Sequence, residues 1–437
     1  MATDASGAAD TPRPFAPPSP EVAPGEIAIG VVIGRASENF DFFVYGLASA
    51  LVFPSVFFPF VPPLQGTLYA FALFALAFLA RPVGSIAFMA LQSRLGRTAK
   101  LTLALLLLGS STAGMAFLPT TGQIGMAAIV LLALFRLLQG LALGGAWDGL
   151  PSLLALSAPP RRRGFYAMLG QLGAPVGFAL AASLFAYLLA NLSEADFFDW
   201  GWRYPFYVAF AINVVALFAR LRLVATPEYQ RLLERHELEP CPLTEIVHRQ
   251  ARVVLIGAFA ALASYALFHL VTIFPVSWIL LYSDRPLSGF LWVQVAGAGL
   301  AALTIVLSGL LADRLGRRNT LGVLALAIAL FSAVAPRLLD AGERGQDLFI
   351  LTGFALLGFS YGQAAGAVTA NFPPHARYTG AALSSDLAWL LGAGFAPWVA
   401  LSLASRFGLA SIGFYLLSGA LSTLVALSVN RALEIAD

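Results

Sequence analysis

The chain has 437 residues, of which 59% are hydrophobic and 11% charged, with a mean hydropathy of +0.80. One soluble core cannot hide that much apolar surface, so lipid must solvate part of it and a soluble globular protein is excluded. The net charge of +3 and pI of 9.1 do not point to nucleic acid, because the basic residues are scattered over short loops between apolar stretches.

In chain order, residues 1–25 carry six prolines from Pro12 to Pro24 among small and acidic residues and are expected to form a disordered tail, with no signal peptide before the first apolar stretch. Stretches long enough to cross a bilayer, about 20 residues each, are read near 27–53, 65–91, 100–118, 123–156, 164–190, 203–223, 252–282, 287–312, 319–339, 348–370, 378–404 and 408–430. These predict an all-α membrane protein of twelve transmembrane helices in two pseudo-symmetric halves, a six-helix bundle at 26–223 and another at 252–430. A linker at 224–251 joins them, and a short tail follows at 431–437. The fourth stretch is too long for a perpendicular crossing and is expected to tilt or protrude. The linker, with Pro227, Pro240 and Pro242 and a polar, amphipathic piece at 228–239, reads as a tether. It also holds the lone Cys241, which excludes an intramolecular disulfide and fits a reducing compartment.

A short pattern appears twice: Arg94-Leu95-Gly96-Arg97 after the second stretch recurs as Arg314-Leu315-Gly316-Arg317 after the eighth. A duplicated membrane bundle places a solute site between its halves, so transport is the expected function. With both termini cytoplasmic, the outer segments carry only Arg203, Arg285, Arg337, Arg344 and Arg406, while the inner ones carry most of the remaining Arg and Lys. That bias predicts this orientation in a bacterial inner membrane.

Ionisable residues inside the spans are costly and mark function. In the first span Arg35, Glu38, Asp41 and Tyr45 share one broad helical stripe, expected to face the bundle interior. Asp41 and Glu38 are the candidate proton carriers, and the alternative for the latter is a fixed Arg35–Glu38 ion pair that braces the helix. In the fourth span Arg136 lies at mid-depth with Gln139 and Gly140 on its face. It either grips a substrate carboxylate bidentately or ties helices by pairing with Asp41 or Glu38. Gly140, Gly144 and Gly145 allow close helix approach. Arg81, before Pro82, is expected to snorkel to the inner surface. Asp148, which could neutralise Arg81 or Arg35, and Asp386 are assigned to gate pairing, and Arg94, Gly96, Arg97, Asp313, Arg314, Gly316 and Arg317 of the two turns to the same cytoplasmic gate. His269 is either a core residue or a proton relay. Arg35, Tyr45, Gln171, Tyr361 and Gln363 are candidate cavity linings, as are Gly173, Pro175 and Gly177.

Six ordered motifs carry a resemblance: ENFDFFVYG in the first span, RPVGS at 81–85, RLLQGLALGG at 136–145, WGWRYPF at 200–206, DRLGRR at 313–318 and FPPHARYTGAALS at 372–384. From about residue 28 to 430 the chain resembles the major facilitator superfamily, and within it the metabolite:H⁺ symporter family of bacterial carboxylate and zwitterion carriers. The resemblance implies a central cavity, alternating access by rocking halves, and proton symport through acids matching Glu38 and Asp41. Three departures bear on it: Ser93 stands where the first loop signature has Asp, Ala146 where Glu follows the paired glycines, and Asn371 where Glu precedes the Phe-Pro.

The expected function is therefore proton-coupled symport of a small organic acid or zwitterion, with an uncoupled facilitator or exchanger as the alternative. A non-transporting sensor lacks a signalling domain, since the roughly 28-residue linker is below the ~50 residues of a compact domain. An enzyme, a metal site or a bound cofactor is not expected, because the four histidines (236, 248, 269 and 375) have no ligand spacing and there is one cysteine. The partners expected are the solute, the proton and the bilayer, with a monomer as the default.

Overall fold

In lipid each backbone N–H and C=O must be satisfied within the protein, so long apolar runs become helices. The computed structural model describes residues 24–147, 162–224, 234, 239–369 and 372–430. Among the described residues there are twelve long helices. Those of the first half are α1 (Pro24–Leu51), α2 (63–95), α3 (97–116), α4 (Ala127–Gly145), α5 (Arg163–Asn191) and α6 (Tyr204–Val224). Those of the second are α7 (251–282), α8 (Leu287–Leu315), α9 (Arg317–Asp340), α10 (Gly342–Thr369), α11 (Pro374–Phe407) and α12 (Ala410–Val429).

The duplicated motif is a duplicated turn. Gly96 between α2 and α3 has φ 82°, ψ 168°, and Gly316 between α8 and α9 has φ 80°, ψ 148°. This region of backbone space is essentially closed to residues with a Cβ. The end of the bundle carrying both turns is called the turn end below, and the opposite one the far end.

The fourth apolar stretch is not one long helix. A separate turn at Thr121–Ile124, closed by a Thr120/Gln123 capping box, precedes α4, and α4 stops at Gly145. Asp148 and Asn371 lie outside the described residues. Against α2, α4 packs backbone to backbone: a Cβ on Gly144 would stand 2.2 Å from the Arg81 carbonyl oxygen, so only glycine fits. Several helices are interrupted. α7 breaks at Ala261 and Ile273, and α11 carries a π-turn at Trp389–Gly394 beside the central cavity.

The two halves meet through α1 against α7, α2 against α11, and α5 against α8 and α10. At the far end Phe43 stacks on Phe268 at 5.7 Å between ring centres, and Gly46 packs under Ile273. At the turn end the contacts are polar.

Candidate functional site: an arginine-lined cavity between the halves

Between these two sets of contacts lies a cavity with about 80 Å³ open to the centres of water-sized spheres, room for several ordered waters. Its wall is aromatic, from Phe42, Phe78, Trp147, Tyr265, Tyr361 and Trp389, and two guanidiniums open into it. α1 brings Arg35 and Glu38 to it one turn apart, their ion pair at 2.8 Å. Glu38 also accepts from Arg220 of α6 at 2.5 Å, so one buried carboxylate holds two cations. The Arg35 guanidinium carbon lies 5.6 Å from the Trp147 ring centre.

Across the cavity Arg81 of α2 meets Asp386 of α11 at 2.7 Å, and the Ser85 hydroxyl donates to the other oxygen of the same carboxylate at 2.5 Å. Asp386 is 3% exposed, and Arg81 sits 5.8 Å from the ring of Trp389, one turn further along α11. This corrects the expected position of Arg81: it does not snorkel, because a carboxylate from the other half holds it at the cavity wall.

The candidate stripe of α1 divides. Arg35 and Glu38 reach the cavity, whereas Asp41, 1% exposed, turns inward. Its carboxylate accepts from Thr112 of α3 at 2.7 Å and from Gln139 of α4 at 3.1 Å. The Gln139 carbonyl in turn accepts from Arg136 at 2.5 Å, and Arg136 also donates to the Phe74 carbonyl at 3.2 Å. Tyr45, Phe74 and Phe42 enclose the Arg136 guanidinium, the Tyr45 ring centre being 3.9 Å away. Arg136, Tyr45 and Gln139, all read from sequence as substrate contacts, therefore do not line the cavity. They form a sealed network in which Gln139 stands between Arg136 and Asp41. The direct Arg136–Asp41 pair foreseen as the alternative is replaced by this relay.

Of the other candidates, Gln171 and Tyr361 line the cavity. Gln363 is fully buried behind it, 3.3 Å from Ser308. His269 is enclosed by rings, 5.5 Å from Phe42 and 5.2 Å from Phe74, with Nδ1 3.1 Å from the Thr272 hydroxyl.

The turn-end contacts sort the gate candidates. Asp313 accepts from the backbone N–H groups of Gly164 (2.7 Å) and Phe165 (3.2 Å), so a carboxylate of α8 caps the N-terminus of α5 in the other half. Arg317 reaches the Gly366 carbonyl at 3.3 Å, while Arg94 and Arg314 are exposed. At the first turn Ser93 donates to its own helix, to the Ala90 carbonyl, and Arg97 pairs with Glu239 at 3.2 Å. The linker is thus more than a tether at this end: Glu239 and Cys241 dock between α2 and α11, the Cys241 N–H donating to Thr379 at 3.0 Å.

Two residues of this assembly were absent from the sequence-derived candidates. Arg220 and Lys100 lie in the last turn of α6 and the first of α3, where a cation is ordinarily a loop charge. Lys100 is 1% exposed and donates to the Trp147 carbonyl beyond α4 and to the Tyr378 hydroxyl of α11 at 2.9 Å.

Two helical halves, polar and apolar seals at opposite ends and a charged cavity between them define a membrane transporter. A model of the Major Facilitator Superfamily matches residues 42–397, and the chain belongs to that superfamily. It is similar to the inner membrane metabolite transport protein YhjE of Escherichia coli (strain K12), at 36% identity over 412 residues, covering 93% of this chain and 94% of that protein. It is also similar to the shikimate transporter of the same organism, at 32% identity over 415 residues, covering 90% and 91%. A crystal structure of a D-xylose-proton symporter shares the fold, with a TM-score of 0.69 at 19% identity, covering 92% of this chain and 97% of that one.

Proposed function

We propose that the protein is a proton-coupled symporter of a small organic anion carrying one net negative charge, moved by rocking of the two halves. The observation that carries this reading is the charge of the cavity wall. Among the described residues Arg35, Arg81 and Glu38 are the charged groups that line the cavity, leaving one positive charge in a low-dielectric site, while Arg220 and Asp386, which pair with them from behind the wall, cancel; a monoanion neutralises the remainder. The aromatic wall suits a compact or cyclic body, as in the relative that carries shikimate. The turns rich in arginine support an inner-membrane orientation with both termini cytoplasmic, and the protein acts as a monomer.

Proton coupling is assigned first to Asp41. Glu38 is pinned by two guanidiniums and serves as their counterion, whereas the side chains against Asp41, Thr112 and Gln139 with Asn213 beside them, are neutral. A buried carboxylate without a cation in direct contact costs little to protonate. One proton carried with one monoanion moves no net charge, so the membrane potential drops out and one pH unit supplies about 1.4 kcal/mol, enough for about tenfold accumulation. The sealing of Asp41 from the cavity favours a second reading, an uncoupled exchanger.

The test is uptake of labelled organic acids, shikimate among them, into proteoliposomes under an imposed inward pH gradient, with and without an uncoupler. Asp41→Asn is expected to abolish accumulation while sparing counterflow. Wild-type accumulation that ignores the uncoupler would select the exchanger, and failure to take up any anion would remove the proposed substrate class.

A further inference from the structure

We infer that Arg81 receives the carboxylate of the substrate and that Asp386 is the internal anion it displaces, so that binding itself unfastens α2 from α11. This rests on the anionic substrate proposed above. Both cavity arginines already hold a carboxylate, but the two pairs differ in kind. Arg35 is neutralised within its own half by Glu38, so a substrate bound there rearranges one half only. Arg81 is neutralised from the other half, and Asp386 is at once its counterion and, through Ser85, the polar tie between α2 and α11 at this level. Opening of the turn end requires that tie to part.

Parting it unaided strands a buried cation and a buried anion together, each costly in isolation. An incoming carboxylate removes the first cost, because it offers Arg81 a carboxylate in place of the one that it loses. The second falls as α11 swings away and water reaches Asp386 in place of Ser85. The groups facing Asp386 are Arg81 and Ser85 on α2, Arg35 on α1 and Tyr265 on α7; the other acid of the cavity among the described residues, Glu38, also feels the charge of Arg81 but is held by Arg35 and Arg220. Trp389, one turn beyond Asp386 and set in the π-turn of α11, stands over Arg81 and offers a face for the body of the substrate. The empty carrier is thereby held shut by a side chain that imitates its cargo.

The experiment measures binding of shikimate, benzoate and 2-oxoglutarate to purified full-length protein. Spin labels at Ser93 and His375, both exposed, report the α2–α11 separation on a Cys241→Ser background. In the wild type the anion that binds widens the label distance. Asp386→Asn binds it at least tenfold more tightly and is open without ligand, Ser85→Ala shows the same change at about threefold, and Arg81→Gln loses at least a hundredfold. Glu38→Gln removes the same charge from the wall without touching the α2–α11 tie and gains less than threefold. A gain in Glu38→Gln exceeding that in Asp386→Asn, or an Arg81→Gln variant that binds normally, overturns the assignment of Arg81 while leaving the anion reading intact. A wild type that binds none of the three anions overturns both.

Discussion

Asp313 carries the clearest energetic prediction. Its two carboxylate oxygens accept separately from Gly164 N–H and Phe165 N–H, across the boundary between the halves. Hydrogen bonds to a charged group contribute about 1.5–3 kcal/mol each, and an acid at a helix N-terminus adds about 0.3–1 kcal/mol. Because Asp313 is partly exposed, the lower values apply, and Asp313→Ala is expected to cost the closed turn end about 3 kcal/mol. At about 1.4 kcal/mol per tenfold, that shifts the closed-to-open ratio by roughly 150-fold. Asp313→Asn has one acceptor oxygen where the aspartate has two and loses the charge, so about 2 kcal/mol and roughly 30-fold are expected. The assay is the distance distribution between spin labels at the exposed Thr98 of α3 and Asn319 of α9, again with Cys241 replaced by serine. A label distance unchanged in Asp313→Ala, with a lowered melting temperature, would show that the carboxylate only buttresses local structure and would refute the cross-half clamp.

Gly96→Ala and Gly316→Ala force a Cβ into a backbone region costing about 1–3 kcal/mol, and thermal melts should place the two variants within experimental spread of each other because the two turns share one conformation. Arg203 caps the end of α3 through the Ala116 (2.9 Å) and Leu118 (2.8 Å) carbonyls at the far end, so Arg203→Ala should lower stability by about 2 kcal/mol without changing turn-end label distances. Lys100→Met, which empties a buried cation from between α4 and α11, should destabilise by about 2–3 kcal/mol, whereas Glu239→Gln at the exposed Arg97 pair should cost under about 1 kcal/mol, both read by thermal melting. Burial pushes the Cys241 thiol in the linker above its ordinary value. Its alkylation by iodoacetamide should therefore be slower than that of a free thiol at pH 8 and catch up only as pH rises further.

The fold was legible because its causes are local and repeated. Apolar runs must be helical in lipid, and the Arg-Leu-Gly-Arg turns announce the duplication through a glycine whose backbone angles nothing else tolerates. The candidate site was legible only as far as one helix can be read. The spacing of Arg35, Glu38 and Asp41 placed them on one stripe, but a stripe about 100° wide does not say which edge meets the cavity and which meets a neighbouring helix. Arg136 resembled a ligand because mid-depth arginine is rare, and the aromatic box that encloses it comes from two segments of sequence, in α1 and α2, both far from α4. Arg220 and Lys100 were hidden for the opposite reason, since a cation in a terminal helical turn is ordinarily solvated. Their burial follows from Glu38 and from the Trp147 carbonyl, partners that are distant in sequence.

The departures from the family pattern acquire a physical sense once the two turns are compared. In the second half Asp313 crosses to cap α5. In the first half, among the described residues, the equivalent Ser93 bonds within α2, and the contact between α2, α3 and α11 is carried elsewhere: by Lys100 and Gln92 on Tyr378, and by Asp386 on Arg81 and Ser85 deeper in the bundle. The turn end is therefore closed by unlike devices on its two sides. The α5–α8 side uses a carboxylate on backbone N–H groups, which no small anion in the cavity competes for. The α2–α11 side places its carboxylate on Arg81, a cavity arginine, for which a substrate anion would compete on the inference above. With Ser93 at the first turn, the fastenings on this side that a bound substrate does not touch are the hydrogen bonds of Lys100 and Gln92 with Tyr378 and of Cys241 with Thr379, so release by cargo at Arg81 has to carry these with it.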